Sequence, residues 1–79
     1  MILHLIKSRK GFDKFVKSYT VSDEDIVVLA QDAVFFDLEY AYIVDEDARE
    51  RRGNMTNKKV LSYRDVSEKI IESDKILVW

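Results

Sequence analysis

Asp25-Ile-Val-Val-Leu-Ala-Gln-Asp-Ala-Val34 is the stretch that decides the fold. Ile26 to Ala30 is an unbroken apolar run with no alternation, the pattern of a strand covered by helices on both faces. It stops at Gln31-Asp32, two side chains that cannot be buried without partners. A central strand that ends in a polar mouth is where open α/β sheets place their ligands.

Working outward, Ile2–Ile6 is predicted as a first strand, apolar except for His4, and Ser8–Gly11 as the turn after it. Phe12, Phe15, Val16 and Tyr19 then share one face of a short helix. Beyond the central strand, Ala33–Tyr40 has room for two helical turns at most. Ala41–Val44 reads as a third strand, and Glu46–Arg52 as a helix capped by Asp45 and closed by Gly53-Asn54. After a polar loop over Met55–Lys59, Val60-Leu61 forms a fourth strand. Ser62 and Asp65 have capping-box spacing and open a helix that buries Val66, Ile70 and Ile71. Asp74 ends that helix, and Lys75–Trp79 is a closing strand.

The alternation of strand and helix predicts one three-layer α/β/α domain over residues 1–79, around a mainly parallel sheet of four to five strands. One connection is short. A parallel crossover needs about a dozen residues, and ten separate Ala30 from Ala41. The parallel reading is favoured over an antiparallel third strand.

Composition narrows the function classes. The 79 residues carry 35% charged side chains and a net charge of −2, so no overall basic field favours nucleic acid. No apolar run is long enough to span a bilayer, and a cytoplasmic protein is expected. With no cysteine, the chain can form neither a disulfide nor a thiolate. No cofactor is implied.

His4, alone in an apolar strand, is expected to be a hydrogen-bonded core residue, not a base, and no nucleophile accompanies it. Asp45, Glu46 and Asp47 are explained by helix capping, not by a metal. Arg49, Arg51, Arg52, Lys58 and Lys59 form the one basic cluster; without interleaved aromatics it reads as a solvated face, and direct nucleic-acid binding is not expected. Phe35, Phe36, Tyr40 and Tyr42 are too many aromatics for so short a connection to bury, so an oligomer interface is expected there, with Trp79 as a further candidate.

Three pieces together resemble the TusB/DsrH family of small sulfur-relay subunits, in the wider DsrE-like group: Leu3-His-Leu-Ile-Lys-Ser8, Val28-Leu-Ala-Gln-Asp-Ala-Val34, and the half that runs from Tyr42-Ile-Val-Asp-Glu-Asp-Ala-Arg-Glu-Arg51 through Leu61-Ser-Tyr-Arg-Asp-Val66 to Trp79. The chain departs from that pattern in four ways. Ala33 stands where the family usually has glycine, Gly53 comes one residue late, Val66 takes an aromatic position, and the segment after Asp32 is shortened. The resemblance implies a DsrE-like fold and a subunit without its own catalytic residue in a sulfur-relay complex. Such complexes pass persulfide sulfur between cysteines, toward the tRNA wobble uridine or in sulfur oxidation. It implies cysteine-bearing DsrE/DsrF-like (TusD/TusC-like) paralogues as partners and a homodimer when the chain is alone. Gln31 and Asp32 would line a partner's sulfur site; against this stands the favoured plainer reading, in which Asp32 caps the following short helix and Gln31 satisfies nearby backbone groups. The alternative is a self-associating scaffold or regulatory module that kept the fold and left sulfur chemistry.

Overall fold

A computed structural model describes residues 1–53, 55 and 58–79. Five strands, β1 (Ile2–Ile6), β2 (Ile26–Leu29), β3 (Tyr42–Val44), β4 (Lys59–Leu61) and β5 (Lys75–Val78), form one sheet in the order β4-β3-β2-β1-β5. Every neighbouring pair is parallel. The favoured direction of the third strand is therefore correct. The helices are α1 (Arg9–Ser18), α2 (Asp45–Glu50) and α3 (Tyr63–Glu72). No described helix is long and apolar enough to cross a membrane.

The short connection works because it is not an α-helix. Gln31–Phe35 forms a 3-10 helix, in place of the helical turns expected over Ala33–Tyr40. A 3-10 helix rises about 2 Å per residue against about 1.5 Å for an α-helix, so fewer residues cover the return path.

Strand alternation divides the core into two faces. One face, under α1, the 3-10 helix and α2, is built on Ile6, Phe15, Val27, Leu29, Ala33, Val34, Ile43 and Ala48. The other lies under α3 alone and is built on Leu3, Val28, Ala30, Val44 and Val66. The core strand is as continuous as its sequence: residues 27–30 are all buried.

Several boundaries need correction. α1 starts at Arg9, inside the expected turn, because Ser8 caps it by accepting the Gly11 N–H at 3.1 Å. Val16, expected inside, is 52% exposed. The buried stripe is Phe12, Phe15 and Tyr19 with Gly11, and Val16 lies about 100° around the helix from Phe15. Ile71 is likewise 83% exposed, since Val66 and Ile70 at i, i+4 already fill the contact with the sheet. Asp45 is the first residue of α2, whose N-cap is Val44, and α2 ends at Glu50, short of Arg52. The Gly53 N–H binds the Ala48 carbonyl at 2.8 Å and closes that helix. Asn54 of the expected closing pair, with Thr56 and Asn57 of the polar loop, lies outside the described residues. The capping box at Ser62 and Asp65 is present as expected.

Candidate functional site

The C-terminal ends of β2, β3 and β4 bring five polar side chains together. Gln31, the first residue past the central strand's Ala30, has φ of 50°. A glutamine in this left-handed region is strained by about 1 kcal/mol or more, so something must hold it. The holder is Asp47, which accepts the Gln31 N–H at 2.6 Å through Oδ2. Asp47 sits on the inward face of α2 and is 3% exposed. Its other oxygen, Oδ1, accepts the Tyr63 hydroxyl and lies 3.7 Å from Arg51 Nη1. Arg51 in turn donates through Nε to Asp32 at 3.0 Å. One buried carboxylate thus ties the end of β2, helix α2 and the first turn of α3.

The three acids of Asp45-Glu-Asp47 do not converge. Asp45 pairs with Arg49 at 2.8 Å. Glu46 accepts the Tyr63 N–H at 3.0 and 3.2 Å, satisfying a free donor at the start of α3. Only Asp47 points inward. No group of three metal-ligating side chains forms among the described residues.

The electrostatics follow from this geometry. The hydrogen bond to Asp47, then burial, pushes the Tyr63 hydroxyl from its usual 10.0 up to about 12. The Tyr63 hydroxyl is therefore protonated at physiological pH and donates to Asp47. Gln31 and Asp32, the two residues singled out from sequence, are both exposed at the mouth. Asp32 lies inside the 3-10 helix, which starts after Ala30 and has no side-chain cap, so it is not a helix cap and pairs with Arg51 instead. Ala33 keeps a negative φ, and the left-handed backbone of this turn falls two residues earlier, at Gln31.

His4 is fully buried, as a core histidine should be. Trp79 Nε1–H donates to its Nδ1 at 3.1 Å, and its Nε2 faces Asp25 Oδ2 at 3.4 Å. An indole N–H can only donate, so Nδ1 is unprotonated and the ring is the neutral Nε2–H tautomer. Asp25 Oδ2 also accepts from Tyr19 Oη at 3.0 Å and Ser22 N at 3.3 Å. Burial works to raise the Asp25 pKa, but the hydrogen bonds from Ser22, Tyr19 and His4 outweigh it and hold the carboxyl below its ordinary value.

The aromatic residues expected at an interface do not form one patch. Phe36 is half-buried against the core and packs on Phe12, the two rings tilted with centroids 4.8 Å apart. Trp79 is half-buried among His4, Phe15 and Tyr19. Phe35 stays exposed at the end of the 3-10 helix, and Tyr40 is exposed ahead of β3. Tyr42 is half-buried at the start of that strand, with Lys59 Nζ 5.8 Å from its ring centroid. The basic cluster is largely paired: Arg49 with Asp45, Arg51 with Asp32, and Lys58 with Asp37.

Sequence reading missed Asp47, Arg51 and Tyr63. A signal was present, because Val44, Asp47 and Ala48 are spaced i, i+3, i+4, the spacing of a buried helical face. Compared with protein-family models and with curated proteins, the chain matches none.

Proposed function

We propose that this chain is a non-catalytic subunit of a cytoplasmic sulfur-relay complex, whose mouth at Gln31 docks against a cysteine-bearing partner of the DsrE/DsrF-like type. The observation that carries this reading is Gln31. Its backbone is held in a strained conformation by a buried carboxylate, at the end of the central strand, while its side chain stays exposed. Strain of this kind persists where the surrounding structure fixes a residue for a contact. The amide of Gln31 is suited to donate to a thiolate or persulfide sulfur, and exposed Phe35 adds apolar area to the same end of the domain. The neighbouring groups favour docking over catalysis. Asp47 is occupied on both oxygens, Tyr63 is held neutral, and Arg51 is shared between Asp47 and Asp32. The sulfur itself must come from the partner, because this chain has no cysteine.

The test is the native mass and composition of the complex captured from source cells through this chain. Small α/β subunits with persulfide-accepting cysteines, lost from the complex on Gln31→Ala, are expected. Copies of this chain alone would overturn the reading. The self-associating module is the second reading, favoured by one observation: Ile76 and Val78 are exposed on the same face of the edge strand β5.

A further inference from the structure

At the opposite end of the sheet, the segment before β2 and the starts of β3 and β4 enclose an open cavity of about 540 Å³. That is within the usual range for small-molecule sites. Its lining includes three carboxylates, Asp23, Glu24 and Asp25, the two tyrosines Tyr40 and Tyr42, and one lysine, Lys59. We propose that this cavity binds an organic ammonium ion of the diamine or lysine-side-chain class. It does not depend on the sulfur-relay reading, since the cavity shares no residue with the Gln31 mouth.

Charge selects the sign of the ligand. Asp25 receives its hydrogen bonds from a backbone amide, a phenol and a neutral imidazole, so none of these donors cancels its charge. Its side chain is 5% exposed, and it lines the cavity. Asp23 and Glu24 are exposed beside it. The amino group of Met1 also borders the cavity but is engaged by Asp74 at 2.5 Å. Three carboxylates therefore face two ammonium groups, those of Lys59 and Met1, and the Met1 group is shared with Asp74, so the lining keeps a net negative charge that attracts cations.

The walls select an organic cation over a bare metal ion. Tyrosine faces attract ammonium groups through the ring quadrupole, and their apolar surface suits the methylene chain between charges. Lys59 Nζ already lies 5.8 Å from the Tyr42 ring centroid, so the wall takes an alkylammonium within the chain itself. Tyr40, 46% exposed, is the second ring. A ligand ammonium near Asp23, Glu24 and Tyr40 would leave Lys59 at Tyr42, or displace it.

The test uses the full chain and NMR titration with 1,5-diaminopentane, with 1,5-pentanediol as the neutral isostere. Saturable shifts confined to Met1, Val21–Ile26, Tyr40, Tyr42 and Lys59 are expected with the diamine and none with the diol. Tyr40→Leu should weaken binding about three- to tenfold. Asp23→Asn with Glu24→Gln should weaken it about tenfold or more. Lys59→Met, which vacates the Tyr42 face and removes a like charge, should strengthen it. Circular dichroism on each variant separates lost binding from lost folding, and the four substituted residues are exposed. Nα-acetyl-lysine methylamide, run beside the diamine, distinguishes the sources: tighter diamine binding indicates a free polyamine, and equal or tighter binding of the lysine compound indicates a protein side chain. Shifts that do not saturate, equal response to the diol, or weaker binding by Lys59→Met would overturn the proposal.

Discussion

Replacing Asp47 by asparagine tests the clamp that organises the mouth. The aspartate accepts two hydrogen bonds, from the Gln31 N–H and the Tyr63 hydroxyl. Hydrogen bonds to a charged group contribute about 1.5–3 kcal/mol each. Asparagine keeps the shape and one acceptor oxygen, which can stay on Gln31, while the Tyr63 hydroxyl can turn to accept from the new amide. The loss is then that of charge assistance, about 1–2 kcal/mol in all. Alanine would strand both donors and cost about 3–5 kcal/mol. A chain of 79 residues has about 4–12 kcal/mol of stability in total, so the asparagine variant is the informative one. With a urea slope of about 1 kcal/mol per molar, its unfolding midpoint should fall by about 1–2 M. A second signal is independent of global stability. Tyr63 ionises at about 12, with Asp47 as the largest cause, and in the variant it should move back toward the usual 10.0. The folded pKa is raised, so this contribution is complete below pH 10 and is lost as pH rises through about 12. Because Tyr63 is 46% exposed, solvent screening reduces it to about 1 kcal/mol. The difference between the wild-type and Asp47→Asn stability curves should shrink over that window, with Tyr63 followed by NMR of ring-labelled tyrosine. A midpoint shift under about 0.5 M with an unmoved Tyr63 would falsify the clamp.

Three further substitutions probe separate features. Gln31→Gly should be about 1 kcal/mol more stable than Gln31→Ala in urea, because only glycine adopts a left-handed backbone without strain; equal stability would remove the strain argument. Gly11→Ala places a Cβ 2.6 Å from the Trp79 carbonyl carbon and oxygen. The backbone there must shift, so a loss of about 1–3 kcal/mol with altered Trp79 fluorescence should replace the usual helical gain from alanine. For Asp25 the folded pKa is depressed, so its contribution is present above the ordinary value of 3.8 and is lost as pH falls through the folded value. Asp25→Asn should be less stable at neutral pH and show a shallower acid transition; an unchanged acid profile would exclude Asp25 as a source of it.

What the sequence made legible is what burial writes into it. Residues 26–30 announce a strand covered on both faces, and His4 reads as a core histidine because an apolar strand leaves it no other setting. The third strand's direction was open because the rule for crossovers assumes an α-helical return, and a 3-10 helix is not marked by apolar periodicity. The capping box at Ser62 is local chemistry and was readable. Asp47 was hidden by its neighbours. Three adjacent acids look alike in a string, and only the turn of about 100° per residue sends one inward, one to Arg49 and one to the start of α3. Gln31 was legible as a polar residue at the strand's end, but its left-handed backbone was not, because that depends on a carboxylate sixteen residues away. Ala33, the residue that would have advertised a special turn as glycine, is an ordinary part of the 3-10 helix.

The two proposed contacts differ in how they use charge. At the mouth, Arg51 lies 3.0 Å from Asp32, 3.7 Å from Asp47 and 3.8 Å from Glu50, so its one charge offsets only part of theirs, and the contact proposed there is carried by the neutral Gln31 amide. At the opposite end, the donors to Asp25 are neutral and Asp23 and Glu24 lie beside it. Raising ionic strength from about 0.01 to 0.15 M shortens the screening length from about 30 to 8 Å. Diamine binding should weaken several-fold across that range, because Asp23 and Glu24 act through exposed, screened charge. A protein contact made by the neutral Gln31 amide and Phe35 should hold or tighten, being built on a hydrogen bond and apolar area. Partner capture can be repeated at both ionic strengths, beside the diamine titration. If partner binding falls as steeply as diamine binding, the contact is not the neutral one at Gln31, and the acidic end of the sheet becomes the surface to mutate.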